Sequence, residues 1–275
     1  MLIKRIIKRI IKKIFSVQSS NLVNIEDCNV FQELYYEEYL LNPDLLDEYL
    51  SNLYDLNSKI KFFSFRKFFK LPRVFINYMN YMKNFFPEFS INEGEIVLDI
   101  GAHHGIFTIN IANMGAKVHS FEPNLMSVEI IKKNISVNSF VNDPIINNSA
   151  ISDTENQYVD FDLGVRSTAG SIKNLKHKEL QSGKKIKVKT VKLDNYILNN
   201  KLNQIKLLKI DCEGAEYDIF KSSREIYNIK YLIVEVHETS NDKPEDLIRV
   251  LKAKKYTVHK IKANYGAYEL YCKKF

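Results

Sequence analysis

The sequence predicts an α/β fold with a mostly parallel sheet, preceded by a helical extension. Two observations support this prediction. From residue 95 onward, short apolar runs alternate with helix-length segments, and each run ends in polar residues. Regular strand–helix alternation is typical of parallel sheets whose crossover connections are helices. Two alternating segments at the end of the chain, 254–262 and 268–275, predict a terminal antiparallel pair.

Each element of the sheet follows from a local pattern. Apolar runs predict four central strands, at 95–101, 116–123, 205–214 and 231–238. Apolar residues at helical spacing predict the intervening helices, at 107–114, 127–138, 215–223 and 243–254. Period-two alternation predicts a hairpin-like insertion, with strands at 157–163 and 185–193 around a turn-rich segment, 164–174.

The chain before the sheet is expected to be helical and to pack on the α/β domain. Residues 20–85 are rich in Leu, Tyr, Phe and acidic side chains and show no strand-like alternation. One helix is predicted to begin at Asn42-Pro43 and another to end at Pro87. We therefore divide the chain into a basic helix (1–15), a helical extension (16–88) and the α/β domain (89–275).

The first fifteen residues form a pattern of their own, with six Lys or Arg residues, no acidic residue, and Ile pairs at helical spacing. Such a helix suits the surface of an anionic membrane but is too short and too charged to span one. Removing its six cations from the 40 basic residues leaves 34 against 33 acidic ones. The chain beyond the first helix is therefore nearly neutral, and this neutral body argues against a nucleic-acid partner. Three widely spaced cysteines suggest a cytoplasmic protein, which the basic helix would place at the inner face of the membrane.

The loop after the first strand carries the motif D-x-G-x-x-x-G, formed by Asp99, Gly101 and Gly105. Glycines between a strand and a helix let the backbone approach a ligand, and this spacing differs from the dinucleotide fingerprint. Asp99 would suit a positively charged amino group. Glu122 ends the next strand, where a carboxylate accepts hydrogen bonds from ribose hydroxyls. Together these features predict a site for S-adenosylmethionine.

Acidic residues also follow the later strands. Asp211, Glu213 and Glu216 lie within six residues, and Glu235 and His237 end the next strand. Because the carboxyl ends of parallel strands meet at one rim, Asp211 and His237 are expected to be neighbours. Proton abstraction, a cation site and substrate recognition are all possible uses of Asp211 and Glu213. For Glu216, a role in the first turn of a helix is an equally good interpretation.

Three segments, 97–124, 207–223 and 232–238, resemble the FkbM family of S-adenosylmethionine-dependent methyltransferases. The resemblance extends over about residues 86–275, and short family-like motifs fall at 150–153 and 191–197. It implies a Rossmann-like class I methyltransferase fold with a seven-stranded sheet, and methyl transfer to oxygen, often on sugars. The implied cofactor-binding residues are Asp99, Gly101, Ala102, His103, Gly105, Glu122, Asn124 and Ala150. His103 stands where many relatives have asparagine.

Three mechanisms for activating a sugar hydroxyl remain open. His237 is the first candidate base because its ordinary pKa lies near neutral pH. Asp211 is the second, as base or as a partner that orients His237, and Glu213 belongs to the same catalytic group. The third possibility is a divalent cation on Asp211, Glu213 and Glu235. Separately, Arg166 in the turn-rich segment could meet an acidic group of the substrate.

The leading hypothesis is an O-methyltransferase that acts on a sugar hydroxyl of a cell-surface glycan, glycolipid or related saccharide. A membrane-surface helix at 1–15 would keep it near a lipid-linked acceptor. The alternatives are a methyltransferase for a non-sugar small molecule and a non-catalytic binding protein of the same fold. Nucleic-acid methylation is disfavoured by the neutral body and by Asp-Cys-Glu-Gly at 211–214.

Overall fold

A computed structural model describes residues 53–56, 60–63, 71–164, 170–172, 183–239, 241–263 and 266–275. The strands are β1 Leu53–Leu56, β2 Ile60–Phe63, β3 Ile96–Ile100, β4 Lys117–Phe121, β5 Ile145–Asn147, β6 Ala150–Ile151, β7 Tyr158–Asp162, β8 Lys185–Val191, β9 Leu207–Ile210, β10 Tyr231–Val236, β11 Tyr256–Lys262 and β12 Tyr268–Lys274. The helices are α1 Leu71–Phe85, α2 Ile106–Asn113, α3 Leu125–Ser136, α4 Leu193–Asn199, α5 Glu216–Ser222 and α6 Pro244–Ala253, with a 3₁₀ turn at Glu225–Asn228.

Seven strands form the central sheet in the order β11-β12-β10-β9-β3-β4-β5. Strands β5, β4, β3, β9 and β10 are parallel, and β12 runs antiparallel to both of its neighbours. This confirms the predicted mostly parallel sheet with a terminal antiparallel strand. From β3 the chain continues to β4 on one side, whereas β9 pairs on the other. In open α/β sheets a ligand cleft lies at such a reversal, beyond the carboxyl ends of the strands.

Both faces of the sheet are covered, which explains why its strands read as continuous apolar runs. On one face, Leu98 and Ile100 of β3 pack with Leu208 of β9 and the apolar side of α6. On the other, Val97 packs with α2 and with Met82 of α1. Helix α1 therefore shares the core of the sheet, although its residues precede the domain boundary predicted at residue 89.

The N-terminal extension differs in part from the prediction. Helix α1 is helical as expected, but Leu53–Leu56 and Ile60–Phe63 pair as antiparallel strands, so the prediction of an entirely helical extension is wrong there. The physical reason is that Tyr54, Phe62 and Phe63 favour strands and that Asn57 and Ser58 between them are turn-forming types. The basic helix predicted at 1–15 lies outside the described residues. Within them, no helix has both the length and the apolar content needed to cross a membrane.

The predicted hairpin insertion is present. Strands β7 and β8 pair antiparallel, and β6 joins β8 in parallel, which forms a small second sheet beside the cleft. Phe161 of β7 and Val188 of β8 are buried against Ala150 of β6. The turn-rich connection is described only at 164 and 170–172, so Arg166 lies outside the described residues.

Candidate active site

A cleft opens at the carboxyl ends of β3, β4 and β9, with the small sheet as one wall. Six of the eight residues predicted to bind the cofactor line it: Gly101, Ala102, His103, Glu122, Asn124 and Ala150. Asp211 and Glu213 also line the cleft. Asp99, Gly105, Glu235 and His237 are not among the lining residues.

The two glycines of the loop after β3 are required by protein packing. Gly101 has a left-handed backbone (φ 76°), and a Cβ atom there would lie 1.7 Å from the carbonyl oxygen of Asp211. Gly105 precedes α2 with φ 84°, and its Cβ would lie 3.0 Å from Cγ1 of Ile131. The sequence suggested that these glycines admit a ligand. The structure shows that the absence of a side chain at Gly101 lets the backbone at Asp211, after β9, approach closely. The backbone of Gly101 also lines the cleft.

Asp99 takes part in a buried charged network under the cleft. Its side chain is fully buried, and its Oδ2 accepts a hydrogen bond from Thr108 Oγ1 (2.6 Å). Lys209 Nζ lies 3.3 Å from Asp99 Oδ1 and 3.6 Å from Asp211 Oδ2, and donates to the carbonyl oxygen of Gly101 (2.7 Å). Asp99 therefore has an internal ion pair, and its contact with an amino group of the cofactor stays a prediction.

Lys209 was overlooked in the sequence, although a signal was present. It interrupts the apolar run Leu-Leu-Lys-Ile of β9, and a cation inside a buried strand needs a partner. Burial by itself would lower the pKa of this lysine, but the carboxylates of Asp99 and Asp211 outweigh burial and raise it. Lys209 is therefore a permanent cation that fixes three segments of the cleft to one another.

Glu122 is held at the end of β4 by backbone donors. The N–H groups of His103 (2.7 Å) and Asn124 (2.9 Å) donate to its two carboxylate oxygens. Burial raises the pKa of Glu122 to about 7, although these hydrogen bonds act in the opposite direction. Each oxygen keeps a lone pair, so the carboxylate can accept two hydroxyl groups from a ligand in the cleft. This is the arrangement predicted for a ribose.

His237 lies among several carboxylates at the ends of β9 and β10. Its Nε2 is 3.2 Å from Glu213 Oε2 and 3.7 Å from Glu235 Oε1, and its Nδ1 is 3.3 Å from Glu216 Oε1. Burial would lower the pKa of His237, but these carboxylates outweigh it and raise the pKa. Burial also raises the pKa values of Glu213 and Glu235, to about 8 each. The predicted neighbourhood of Asp211 and His237 is present, since both belong to one group of potential metal ligands.

Glu216 organises the loop that follows β9. It is fully buried, and its Oε1 accepts from the backbone N–H groups of Cys212 (3.2 Å) and Gly214 (3.1 Å). The loop also holds Glu213 in a left-handed backbone conformation (φ 52°). Glu216 thus does more than support a helix turn: it joins the loop to His237.

Tyr78 brings helix α1 into the site. It lines the cleft, and its hydroxyl lies 3.5 Å from Glu235 Oε2. Burial, followed by the negative charges of Asp211 and Glu235, raises its pKa well above the ordinary tyrosine value. No motif in the sequence indicated this residue, because it comes from a helix that was assigned to a separate extension.

The strand order, the loop after β3 and the buried carboxylate after β4 define a class I methyltransferase. A family model described as the methyltransferase FkbM domain matches residues 99–258. The chain belongs to the FkbM methyltransferase family and is a methyltransferase whose cofactor is S-adenosylmethionine. A comparison with curated protein sequences found no match.

Solved structures with a similar fold include several methyltransferases. TrmK of M. capricolum, solved with S-adenosylhomocysteine, is 14% identical with a TM-score of 0.42, over 75% of this chain and 67% of that one. The magnesium protoporphyrin IX methyltransferase of Synechocystis PCC 6803, solved with S-adenosylmethionine, is 11% identical with a TM-score of 0.44, over 94% and 100%. A tRNA (uracil-54, C5)-methyltransferase of Pyrococcus abyssi is 14% identical with a TM-score of 0.42, over 80% and 43%.

Binding of S-adenosylhomocysteine is expected to strengthen about tenfold between pH 6 and pH 8, as the ionised fraction of a group with a pKa of about 7 rises. The ionised carboxylate of Glu122 is the form that accepts two hydroxyl hydrogen bonds. The raised pKa of Glu122 has the opposite effect on the free energy of unfolding, which falls as the pH rises. Because the unfolded carboxyl ionises at its lower ordinary pKa, ligand-free protein is expected to lose stability as the pH rises through 7.

Calorimetric titration of the full-length protein across this pH range measures the effect. Glu122→Gln should bind S-adenosylhomocysteine more weakly and without the tenfold change. Glu129→Gln, on the outer side of α3 beside Lys132, is the matched control and should behave as wild type. An unchanged pH dependence in Glu122→Gln would show that another group is responsible.

Proposed function

We propose that the enzyme is an O-methyltransferase that modifies a sugar hydroxyl of a cell-surface glycan, glycolipid or related saccharide. The observation that carries this proposal is the pair of carboxylates, Asp211 and Glu213, in the wall of the cleft. Carboxylates accept hydrogen bonds from hydroxyl groups. They also repel the phosphates of a nucleic-acid backbone. The pair therefore favours an uncharged acceptor with several hydroxyls.

The residues that line the cleft around Glu122 suit the cofactor. Glu122 would hold the ribose, and the backbone of Gly101 and Ala102 would lie along the methionine part, with Ala150 beside the base. S-adenosylmethionine supplies an electrophilic methyl group, which leaves sulfur for the acceptor oxygen as the carbon–oxygen bond forms. The chain's contribution is to hold the two reactants in line and to take up the hydroxyl proton.

The geometry changes our preference among the candidate bases. Asp211 lines the cleft and is 28% exposed, so it can meet an acceptor hydroxyl directly. His237 lies behind Glu213, with its Nε2 directed at that carboxylate. We therefore assign the proton to the carboxylate of Asp211, and we assign His237 the positioning of Glu213.

The small sheet would form the acceptor's second contact surface. Phe161, Leu163 and Ile172 line the cleft there, and such side chains pack against the apolar face of a sugar ring. Residues 1–15, outside the described part of the chain, would keep the enzyme at the inner face of the cytoplasmic membrane, near a lipid-linked acceptor.

Transfer of a radiolabelled methyl group to a panel of acceptors tests the proposal. The panel contains free sugars, a surface polysaccharide, a lipid-linked oligosaccharide in anionic vesicles, and tRNA. We expect label in carbohydrate as an alkali-stable methyl ether, with the highest rate on the vesicle-bound acceptor. Asp211→Asn should lower the rate at least tenfold while S-adenosylhomocysteine binding is kept, because a single proton acceptor typically contributes a factor of about 10²–10⁴.

Asp160→Asn provides the matched control for this experiment. Asp160 is an exposed aspartate on β7 that pairs with Lys187 at the surface, and its replacement should leave the rate unchanged. Label in tRNA, in a non-sugar small molecule or in an alkali-labile ester would contradict the sugar assignment. Absence of transfer by a protein that binds the cofactor would favour a non-catalytic role.

A further inference from the structure

The ends of β9 and β10 bring three potential metal ligands together. Asp211, Glu213 and His237 each offer one ligand atom, and these atoms all lie within 4.8 Å of one another. The contact between His237 Nε2 and Glu213 Oε2 is 3.2 Å. Two ligands at right angles, each about 2.2 Å from an ion, are about 3.1 Å apart. The separation of these two atoms therefore fits two ligands of one divalent cation.

His237 is also held in the way that a metal-binding histidine requires. Its Nδ1 lies 3.3 Å from Glu216 Oε1, and Glu216 is fixed in turn by the backbone N–H groups of Cys212 and Gly214. If a cation displaced the proton of Nε2, a neutral imidazole that donates from Nδ1 to Glu216 would present the lone pair of Nε2 to that cation. Metal-bound histidines normally have such a carboxylate partner, which sets the tautomer and the ring orientation.

A separate observation is a buried carboxylate oxygen beside the cluster that has no partner among the described residues. Glu216 is fully buried beside His237, yet its Oε2 has no hydrogen-bond partner in the part of the chain that the structure describes. Glu235 adds another carboxylate 3.7 Å from the same histidine. The nearest lysine, Lys209, is already shared between Asp99 and Asp211. Buried carboxylates need a counter-charge, and a divalent cation held by these ligand atoms would supply one.

We infer that Asp211, Glu213 and His237 form a divalent-cation site that presents open coordination positions to the cleft. Oxygen and imidazole donors together suit Mn²⁺ or a similar ion. Because Asp211 and Glu213 line the cleft, the open positions face the acceptor, where two neighbouring hydroxyl oxygens could occupy them. The inference of a vicinal diol rests on the proposed function, whereas the ion site itself does not.

An ion at this position would change how the acceptor loses its proton. A hydroxyl bound to a divalent cation is more acidic than a free one. Its proton would pass to the second carboxylate oxygen of Asp211 and then to solvent, as the oxygen bonds to the methyl carbon and the carbon–sulfur bond breaks. The site would thereby select acceptors that have two adjacent hydroxyls over those that have one.

Titration of the full-length protein with MnCl₂, followed by electron paramagnetic resonance of free Mn²⁺, tests the site. Wild type is expected to bind one ion per chain. Glu213→Gln and Asp211→Asn, which each remove a ligand, should weaken binding at least tenfold, and Asp160→Asn should not. Glu216→Gln, which removes only the partner of the histidine, should weaken it about 10–100-fold. Binding of S-adenosylhomocysteine shows in each case that the protein is folded.

The two proposals can fail separately in this experiment. If wild type binds S-adenosylhomocysteine but no Mn²⁺, the ion site is wrong and protonated His237 is the counter-charge of the cluster. Equal Mn²⁺ binding by wild type and by both ligand variants would also overturn it. If Mn²⁺ binds as expected and no carbohydrate is methylated, the ion site stands and the sugar assignment falls.

Discussion

Replacement of Gly101 by alanine is expected to destabilise the protein by about 4 kcal/mol or more, or to prevent folding altogether. The new Cβ would lie 1.7 Å from the carbonyl oxygen of Asp211. Neither side can yield easily, because Gly101 donates its N–H to Phe121 and Asp211 donates its own to Ile100. The methyl group would therefore have to separate β3 from β9.

Gly94→Ala isolates the steric part of this effect. Gly94 also has a left-handed backbone (φ 79°), but a Cβ atom there would meet nothing within 4 Å. Its replacement should cost only the conformational penalty of about 1–2 kcal/mol. Urea unfolding followed by far-ultraviolet circular dichroism is the suitable measurement, since the chain contains no tryptophan. Equal losses in the two variants would show that the contact between Gly101 and Asp211 does not limit stability.

The fold from residue 95 onward was predictable because one physical rule governs it. Strands that are buried on both faces read as apolar runs, and the helices between them keep helical spacing. The hairpin at Leu53–Leu56 and Ile60–Phe63 was missed because strands of four residues are too short to distinguish period-two alternation from helical spacing. Helix α1 was recognised and was expected to pack on the α/β domain, but the place of Tyr78 in the cleft was not, since an apolar face does not specify the surface that it covers.

Site residues could be predicted where their place at the end of a strand is enough to locate them at the cleft. Glu122 could be located because it ends a strand next to the glycine loop. The buried ion pair of Asp99 could not be predicted, because its partner Lys209 is 110 residues away in sequence and pairing at that distance depends on strand order. The same holds for Tyr78 and Glu235, which are 157 residues apart.

Replacement of Lys209 by methionine is the second change with a large expected effect, a loss of about 3–5 kcal/mol. Methionine fills a similar volume but leaves Asp99 as an uncompensated charge. Asp99 is fully buried, and its Oδ1 has no hydrogen-bond donor within the described residues apart from the ion pair at 3.3 Å. The interaction with the carbonyl oxygen of Gly101 would be lost as well.

A second substitution separates this electrostatic effect from packing. Asp99→Asn combined with Lys209→Met removes both buried charges and should be more stable than Lys209→Met alone, because no carboxylate of β3 then remains unpaired. Lys206→Met is the matched control. Lys206 forms a partly exposed pair with Glu95, and its loss should be below about 1 kcal/mol.

Urea unfolding of wild type, Asp99→Asn, Lys209→Met and the double variant gives the coupling free energy between Asp99 and Lys209. Strictly additive losses would mean that the two charges do not stabilise each other and that Lys209 serves Asp211 and Gly101 only. A favourable coupling would mean that the aspartate of the D-x-G motif is needed for the architecture of the cleft. In that case, a loss of cofactor binding in Asp99→Ala would result from a displaced loop after β3. The double variant, Asp99→Asn with Lys209→Met, should then bind the cofactor again if it restores the position of that loop.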